Sequence, residues 1–146
     1  MNKLLTVLIT LFLLLPATVY AENSTKIPGY TIHHNVLTTD FLAPNIASAY
    51  RLIRSKNRAM INVSVIQDVE GTTGKPVMAT ISARAINLIG QSRNILLREI
   101  REGNAIYYIG DFIVPNNEQL IFVLDVTPDG AKKSYTAKLQ HKFSSY

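Results

Sequence analysis

Cysteine is absent from the 146 residues of this chain. Without cysteine the protein can form no disulfide bond, so its stability must come from the packing of its core. A single domain of this size buries roughly two-thirds of the surface of its unfolded chain, which is enough for that purpose. The same absence excludes acylation of an N-terminal cysteine, and with it the class of lipid-anchored lipoproteins.

Acidic residues are fewer than basic ones, and neither sign forms a long run. The chain has 15 lysines and arginines against 10 aspartates and glutamates, a formal net charge of +5. Nucleic-acid binding usually requires a basic stripe on one face or element, and this sequence has none. The mild, dispersed positive charge suits an anionic partner or surface instead.

No apolar run is long enough to cross a membrane, since a helical span needs about 20 apolar residues. The longest run, residues 4–15, follows Lys3 and precedes small residues at the two positions that a signal peptidase reads. This order predicts a secretory signal peptide over residues 1–21, cleaved after Ala21, with no membrane anchor left after cleavage. A cysteine-free exported chain with a short bacterial-type signal indicates a periplasm.

The remaining residues 22–146 have the length of one domain, and no repeat, low-complexity tract or interior linker divides them. Apolar and polar residues alternate along them with period two, which is typical of half-buried β-strands separated by glycine- and proline-containing turns. The pattern predicts seven strands, at residues 30–38, 58–67, 77–87, 93–101, 105–114, 119–127 and 133–143.

One segment departs from this alternation. Residues 44–50 begin with Pro44, and because proline is favoured in the first turn of a helix, we predict one short helix there. Seven short strands with regular turns favour an all-β fold, an antiparallel two-sheet sandwich of immunoglobulin-like type. A small closed barrel is the alternative architecture for the same pattern.

Three stretches of sequence occur together in an order that characterises a known family. They are RSKNR at 54–58 leading into INVSV at 61–65, REIREGNAIYYI at 98–109, and LDVTPDG at 124–130. In combination they resemble a family of small exported bacterial proteins known as domain of unknown function 4426, over nearly all of residues 22–146. The resemblance implies a periplasmic setting and a β-sandwich-like domain, and it implies no activity.

Residues that could bind a metal are few: His33, His34, His141, Met60 and Met78. Adjacent residues on a strand point to opposite faces, so only one of His33 and His34 could join His141 in a site. Histidine and methionine are copper ligands, but the short-range ligand spacing of metal motifs is missing. We therefore expect no metal and no cofactor.

Catalytic motifs are incomplete. GQSRN at 90–94 has Asn94 where the nucleophile elbow of a hydrolase requires a second glycine. GTTGK at 71–75 is too short for a phosphate-binding loop, and Pro76 takes the place of the required serine or threonine. Paired carboxylates occur at the start of a turn, where water keeps both ionised. The sequence therefore predicts no catalytic residue and no enzyme.

A charged stretch, residues 98–102, interrupts both apolar rows of one predicted strand. Because burial of an unpaired charge is very costly, each charge must meet a partner or lie near a sheet edge. One interpretation is an edge strand, or ion pairing with the basic segment 54–58. The alternative is a surface that binds an anion or docks a partner through Arg54, Lys56, Arg98 and Arg101.

The neighbouring predicted strands 105–114 and 119–127 are apolar on both sides, whereas a sandwich strand needs only one buried face. In a simple pairing Tyr108 and Phe112 line an outer face, although a shift of one residue would exchange the two rows. The helical segment could cover this face from within the chain. The alternative cover is a protein partner or a second copy, because sizeable exposed apolar patches mark interaction sites.

These features predict a non-enzymatic periplasmic accessory module that binds an unidentified periplasmic protein, or itself, through a sheet face or edge. A sandwich that binds a small ligand or a metal is the alternative. The two differ in what stabilises the domain, since a ligand or metal should raise its melting temperature whereas a protein partner should co-purify with it.

Overall fold

The computed structural model describes residues 23–115 and 117–144, and the predicted signal peptide lies outside these ranges. The strands are β1 Ser24–Ile27, β2 Tyr30–Thr38, β3 Arg58–Gln67, β4 Lys75–Pro76, β5 Ala79–Asn87, β6 Ser92–Ile95, β7 Arg98–Glu102, β8 Ala105–Ile113, β9 Gln119–Pro128 and β10 Tyr135–Lys142. A 3-10 turn, Thr39–Phe41, and one helix, α1 Pro44–Ala49, lie between β2 and β3. No helix in the described part of the chain is long and apolar enough to span a membrane.

The strands form two antiparallel sheets. Sheet A has six strands in the order β1-β2-β3-β8-β7, with β4 paired to β3, and sheet B has four in the order β10-β9-β5-β6. Without the short strands β1 and β4, this is the strand order of an immunoglobulin-type sandwich with one additional edge strand in sheet B. The predicted all-β sandwich of immunoglobulin-like type is confirmed, and so is the short helix near residues 44–50.

The described residues form more strands than the seven predicted, and each addition has a physical cause. β1 pairs along the outer edge of β2, while β4 pairs with Ile66 and Gln67 of β3, beyond Val63, the last residue of β3 that pairs with β8. The predicted strand 93–101 is two strands, β6 in sheet B and β7 in sheet A. Its apolar alternation continues through the crossing because Ile95 and Leu97 both pack against the core, so no turn residue marks the change of sheet.

The core lies between the two sheets and is formed by alternate residues of the strands. Its largest fully buried members come from β2, β3 and β9: Ile32, Ile61, Val63, Val65, Leu120, Phe122, Leu124 and Val126. Period two predicted this row, because successive side chains on a strand point to opposite faces. Aromatic rings fill one end of the core, where Phe112 lies 5.5 Å from Phe122 and 6.3 Å from Phe143 between ring centroids.

The connection between β2 and β3 covers part of the outer face of sheet A. Leu52 and Ala47 of this connection are buried against Met60 of β3 and Ile109 of β8, and Tyr50 packs beside them. The chain itself therefore covers an outer apolar row of β8, in agreement with the internal alternative of the sequence analysis. Other apolar residues of the same connection stay exposed: Phe41, Ile46 and Ile53.

Candidate functional site

The four basic residues predicted to form one anion- or partner-binding surface do not lie on one surface. Arg98 and Arg101 are three residues apart on β7 and project to opposite faces of sheet A. The guanidinium of Arg98 donates to the carbonyl oxygen of Tyr50 at the end of α1. Arg101 instead lies 2.6 Å from the carboxylate of Glu99 on the other face. A single site that includes both arginines is therefore wrong, because strand alternation separates them.

The other two basic residues lie in the exposed connection that precedes β3. Arg54 donates to the carbonyl oxygen of Asp40 at 3.0 Å. Lys56 makes no hydrogen bond or ion pair within the described part of the chain. β7 is the last strand of sheet A, which confirms the interpretation of residues 98–102 as an edge strand.

Tyr108 and Phe112 lie inside the sandwich and not on an outer face. Their exposed fractions are 6% and 8%, and both belong to the core cluster. The predicted outer placement was out of phase by one residue, since Tyr107 and Ile109 belong to the outer row that the helical connection covers. The placement is therefore corrected, because a buried ring cannot meet a partner on an exposed face.

A cleft of about 390 Å³ opens between the two sheets beside Tyr108, and Met78 and Glu99 are among its lining residues. The Tyr108 hydroxyl accepts a hydrogen bond from the backbone N–H of Ala79 at 2.9 Å and donates to the Glu99 carboxylate at 3.4 Å. Burial is the main cause of a raised pKa of Tyr108, so its hydroxyl stays protonated at neutral pH.

Arg101 binds two of the side chains that line this cleft. It donates to Glu99 Oε1 at 2.6 Å and to the thioether sulfur of Met78 at 2.8 Å. Glu99 is thus ion-paired, and Tyr108 keeps its proton. Neither residue supplies a free general base or an activated nucleophile in this arrangement, because such roles require a group poised to accept a proton.

The histidines lie as strand alternation requires. His33 is exposed, whereas His34 faces the core with an exposed fraction of 6%. The Nε2 atom of His34 lies 3.0 Å from Thr25 Oγ1, and its buried Nδ1 has no hydrogen-bond partner among the described residues. Burial lowers the pKa of His34 and of the half-buried His141. Met60 is buried among apolar residues. Among the residues described, no group of three or more histidines and carboxylates could hold a metal ion.

β6 and β7 together form an exposed side of the molecule that the sequence pattern did not predict. β6 is the last strand of sheet B and β7 the last strand of sheet A, and only Leu96 and Leu97 separate them in the chain. We call this side the β6–β7 edge. Leu96 is 91% exposed, because its neighbours Ile95 and Leu97 both face inward. The available signal was the run of three apolar residues at 95–97, in which the outward position, Leu96, is apolar as well as the two inward positions.

Gly110 of β8 permits the close approach of the crossing segment. A Cβ at this position would lie 2.6 Å from Ile95 Cγ2 and 2.7 Å from the carbonyl oxygen of Leu96. Such distances are far inside van der Waals contact, so any larger residue must displace the crossing backbone. A glycine within a strand often marks such an approach of another backbone.

A family model, Domain of unknown function (DUF4426), matches residues 24–145. The crystal structure of a DUF4426 family protein from Pseudomonas aeruginosa is similar, with a TM-score of 0.71 and 29% identity over 87% of this chain and 99% of that one. No curated protein matches the sequence.

FetP of uropathogenic Escherichia coli shares the fold. FetP expressed recombinantly in the periplasm has a TM-score of 0.59 and 12% identity, over 83% of this chain and 92% of that one. A copper-bound FetP variant has a TM-score of 0.61 and 13% identity, over 86% of this chain and 97% of that one. At this identity the likeness extends to the fold alone.

Proposed function

The chain belongs to the family described as domain of unknown function (DUF4426), and we propose that it is a periplasmic accessory module that binds another protein without catalysing a reaction. The contact surface in this proposal is the β6–β7 edge. The observation that carries it is Leu96, an apolar side chain 91% exposed between two edge strands. An edge strand offers unpaired backbone N–H and C=O groups to which a partner strand can add.

β6 suits strand addition better than β7. Four of the five residues of β7 are charged, a composition that keeps edge strands from unintended pairing. β6 has one charged residue, Arg93, which lies 3.5 Å from Glu118 and over the ring of Phe112. The exposed edge of β6 therefore combines free backbone groups with little charge, and Leu96 follows it directly as an apolar anchor.

The periplasmic setting rests on sequence and on the fold neighbours. Residues 1–21 have the order of features of a cleaved signal peptide, and the chain contains no cysteine. FetP, which shares the fold, was produced in the periplasm of Escherichia coli. A cleft in which Glu99 is ion-paired and Tyr108 is protonated suits a binding role in that compartment.

Site-directed photo-crosslinking in the native periplasm tests the proposed contact. A photoreactive residue replaces Leu96, and a matched control replaces Lys138, which is also exposed, on the outer face of sheet B. We expect discrete crosslinked species from position 96 and none from position 138. Failure of position 96 to crosslink, or identical patterns from both positions, would contradict a specific contact at the β6–β7 edge.

Binding of a small ligand or a metal in the cleft beside Tyr108 is the second candidate function. It is favoured by the cleft itself, whose lining includes Met78 and Glu99, and by the copper-bound FetP variant of the same fold. Thermal melting with and without copper or zinc tests it. A rise in melting temperature that Met78→Leu abolishes supports this function, and unchanged melting curves with both metals eliminate a metal site.

A further inference from the structure

Parts of three connections lie at one end of the sandwich: residues 39–41 and 53–57 between β2 and β3, 88–91 between β5 and β6, and 114–115 with 117–118 between β8 and β9. The connection between β8 and β9 shows that both sheets terminate at this end of the sandwich. It joins Ile113, which pairs with Arg58 at the start of β3, to the start of β9, where Leu120 pairs with the last residue of β5. We call this end, together with Lys142 at the end of β10, the basic end.

The basic end displays several large apolar side chains. Five are more than half exposed: Leu88 72%, Ile89 80%, Phe41 78%, Ile53 66% and Ile113 63%. These residues come from two of the three connections and from the last position of β8. Exposed apolar residues concentrated on one part of a surface indicate an interaction site, whereas scattered ones need no explanation.

Hydrogen bonds hold the hairpin that carries Leu88 and Ile89 in shape. The side-chain oxygen of Asn87 accepts from the backbone N–H of Ile89 at 3.2 Å and from that of Gln91 at 2.8 Å. The N–H of Gly90 donates to the carbonyl oxygen of Asn87 at 3.0 Å, and Gly90 has a φ of +84°, which favours glycine. The two adjacent apolar side chains are therefore displayed by an ordered turn.

The connection between β2 and β3 is also fixed at this end. The buried hydroxyl of Thr39 donates to the carbonyl oxygen of Ile53 at 2.7 Å and accepts from the N–H of Ser55 at 3.0 Å. These bonds tie the segment that carries Ile53 and Arg54 to the strand end at Thr38. The exposure of Ile53 is thus a property of a held loop.

The charged side chains that are exposed at the basic end are basic. Arg54, Lys56 and Lys142 are exposed. The acidic side chains nearby are not: Asp40, Asp111 and Glu118 are all half-buried. Asp111 is paired with Arg58, and Glu118 lies 3.5 Å from Arg93. An approaching surface therefore meets apolar side chains and uncompensated positive charge.

We propose that the basic end binds an anionic lipid surface, with Leu88 and Ile89 entering the headgroup region and Lys56 and Lys142 meeting lipid phosphates. Apolar side chains near basic ones are the combination that holds peripheral proteins on anionic bilayers. A lipid surface fits these observations better than a protein, because side chains on separate loops can each enter the headgroup region without forming one continuous apolar patch. The proposal is independent of the contact at the β6–β7 edge.

Co-sedimentation with vesicles tests this proposal. The protein is isolated from the periplasm, its intact mass is checked for loss of residues 1–21, and it is mixed with phosphatidylcholine vesicles with and without phosphatidylglycerol. We expect binding that requires phosphatidylglycerol and decreases with salt. The double variants Leu88→Ser/Ile89→Ser and Lys56→Glu/Lys142→Glu should each weaken binding by roughly tenfold or more. The first removes the apolar side chains that enter the headgroup region, and the second replaces two attractive charges with repulsive ones.

Matched controls change the same chemistry elsewhere on the molecule. Lys75→Glu/Lys132→Glu alters the net charge equally at the opposite end, and Leu96→Ser removes an exposed leucine from the β6–β7 edge. Both controls should bind vesicles like the unchanged protein, and circular dichroism should show the same fold for all variants. Absence of binding to phosphatidylglycerol vesicles, equal binding to both vesicle types, or equal losses in the controls overturns the proposal.

Discussion

Gly110 shows how one missing side chain permits the chain to change sheets. Its hydrogen atom lies where a methyl group would meet both the backbone of Leu96 and the side chains of Ile95 and Leu97. The crossing segment can therefore press against β8 and turn Leu96 outward. The exposed apolar residue that carries the proposed function thus depends on a glycine fourteen positions later in the sequence.

Gly110→Ala should destabilise the domain. The added methyl group forces the crossing segment away from β8, and overpacking of this kind typically costs about 2 kcal/mol in the free energy of unfolding. Denaturation in urea measures the change. Gly103→Ala is an instructive comparison, because a Cβ at Gly103 meets no atom within 4 Å and its strain comes only from a positive φ of +56°. A Gly110→Ala protein as stable as the original would show that the crossing has room to move.

At the scale of elements, β7 and the helical connection support each other across the outer face of sheet A. Arg98 of β7 donates to the carbonyl oxygen of Tyr50, and the Tyr50 hydroxyl donates to the carboxylate of Glu102 at 2.6 Å. This second bond is the main cause that raises the pKa of Tyr50 to about 12. The charges that interrupt the apolar rows of β7 therefore fasten α1 to the sheet edge.

Arg98→Ala should loosen this attachment and lower the free energy of unfolding by about 1 kcal/mol, the usual worth of one hydrogen bond. Chemical denaturation measures this change. Lys138→Ala is the control, and it should change the free energy of unfolding little, because Lys138 is exposed and has no hydrogen-bond or ion-pair partner in the described chain. If Arg98→Ala keeps full stability but loses crosslinking at Leu96, Arg98 belongs to the partner surface instead.

At the scale of the whole molecule, the two sheets are held together without disulfide cross-links. The chain has no cysteine, and apolar burial between the sheets replaces disulfide bonds. Two histidines lie on the inner faces of this interface, His34 on β2 of sheet A and His141 on β10 of sheet B. Protonation of either places a positive charge between the sheets.

Stability should therefore fall in mild acid. Burial lowers the pKa of His34 and His141 in the folded protein below the ordinary value of about 6.5, so the unfolded chain takes up these protons first. The stabilisation is fully present above that value and is lost as the pH falls toward the folded pKa values. Urea denaturation across this range measures the loss.

Two substitutions separate the buried histidine from its exposed neighbour. His34→Leu should weaken the dependence of stability on pH. His33→Gln should change it far less, because His33 lies on the solvent side of β2 and its charge is the smallest of the causes that act on the pKa of His34. A pH dependence that is identical in both variants would show that His34 does not contribute to it.

Local alternation along the chain was sufficient to predict much of this protein. Period two placed the core row of β3, the charges at residues 98–102 favoured an edge strand at β7, and Pro44 placed α1, because these properties depend only on neighbours in sequence. The family resemblance also came from short stretches of sequence. The signal peptide, the non-enzymatic role and the partner remain predictions from the same source.

Tertiary structure alone decided which face of β8 is inside and where the chain changes sheets. A strand that is apolar on both sides fits either register, so Tyr108 and Phe112 could be placed only once pairing with β3 and β7 was known. The crossing at Leu96 and the gathering of distant apolar and basic residues at the basic end depend on contacts between elements far apart in sequence. Such contacts leave no periodic signal, because each is set by the packing of two sheets and not by the order of residues along one strand.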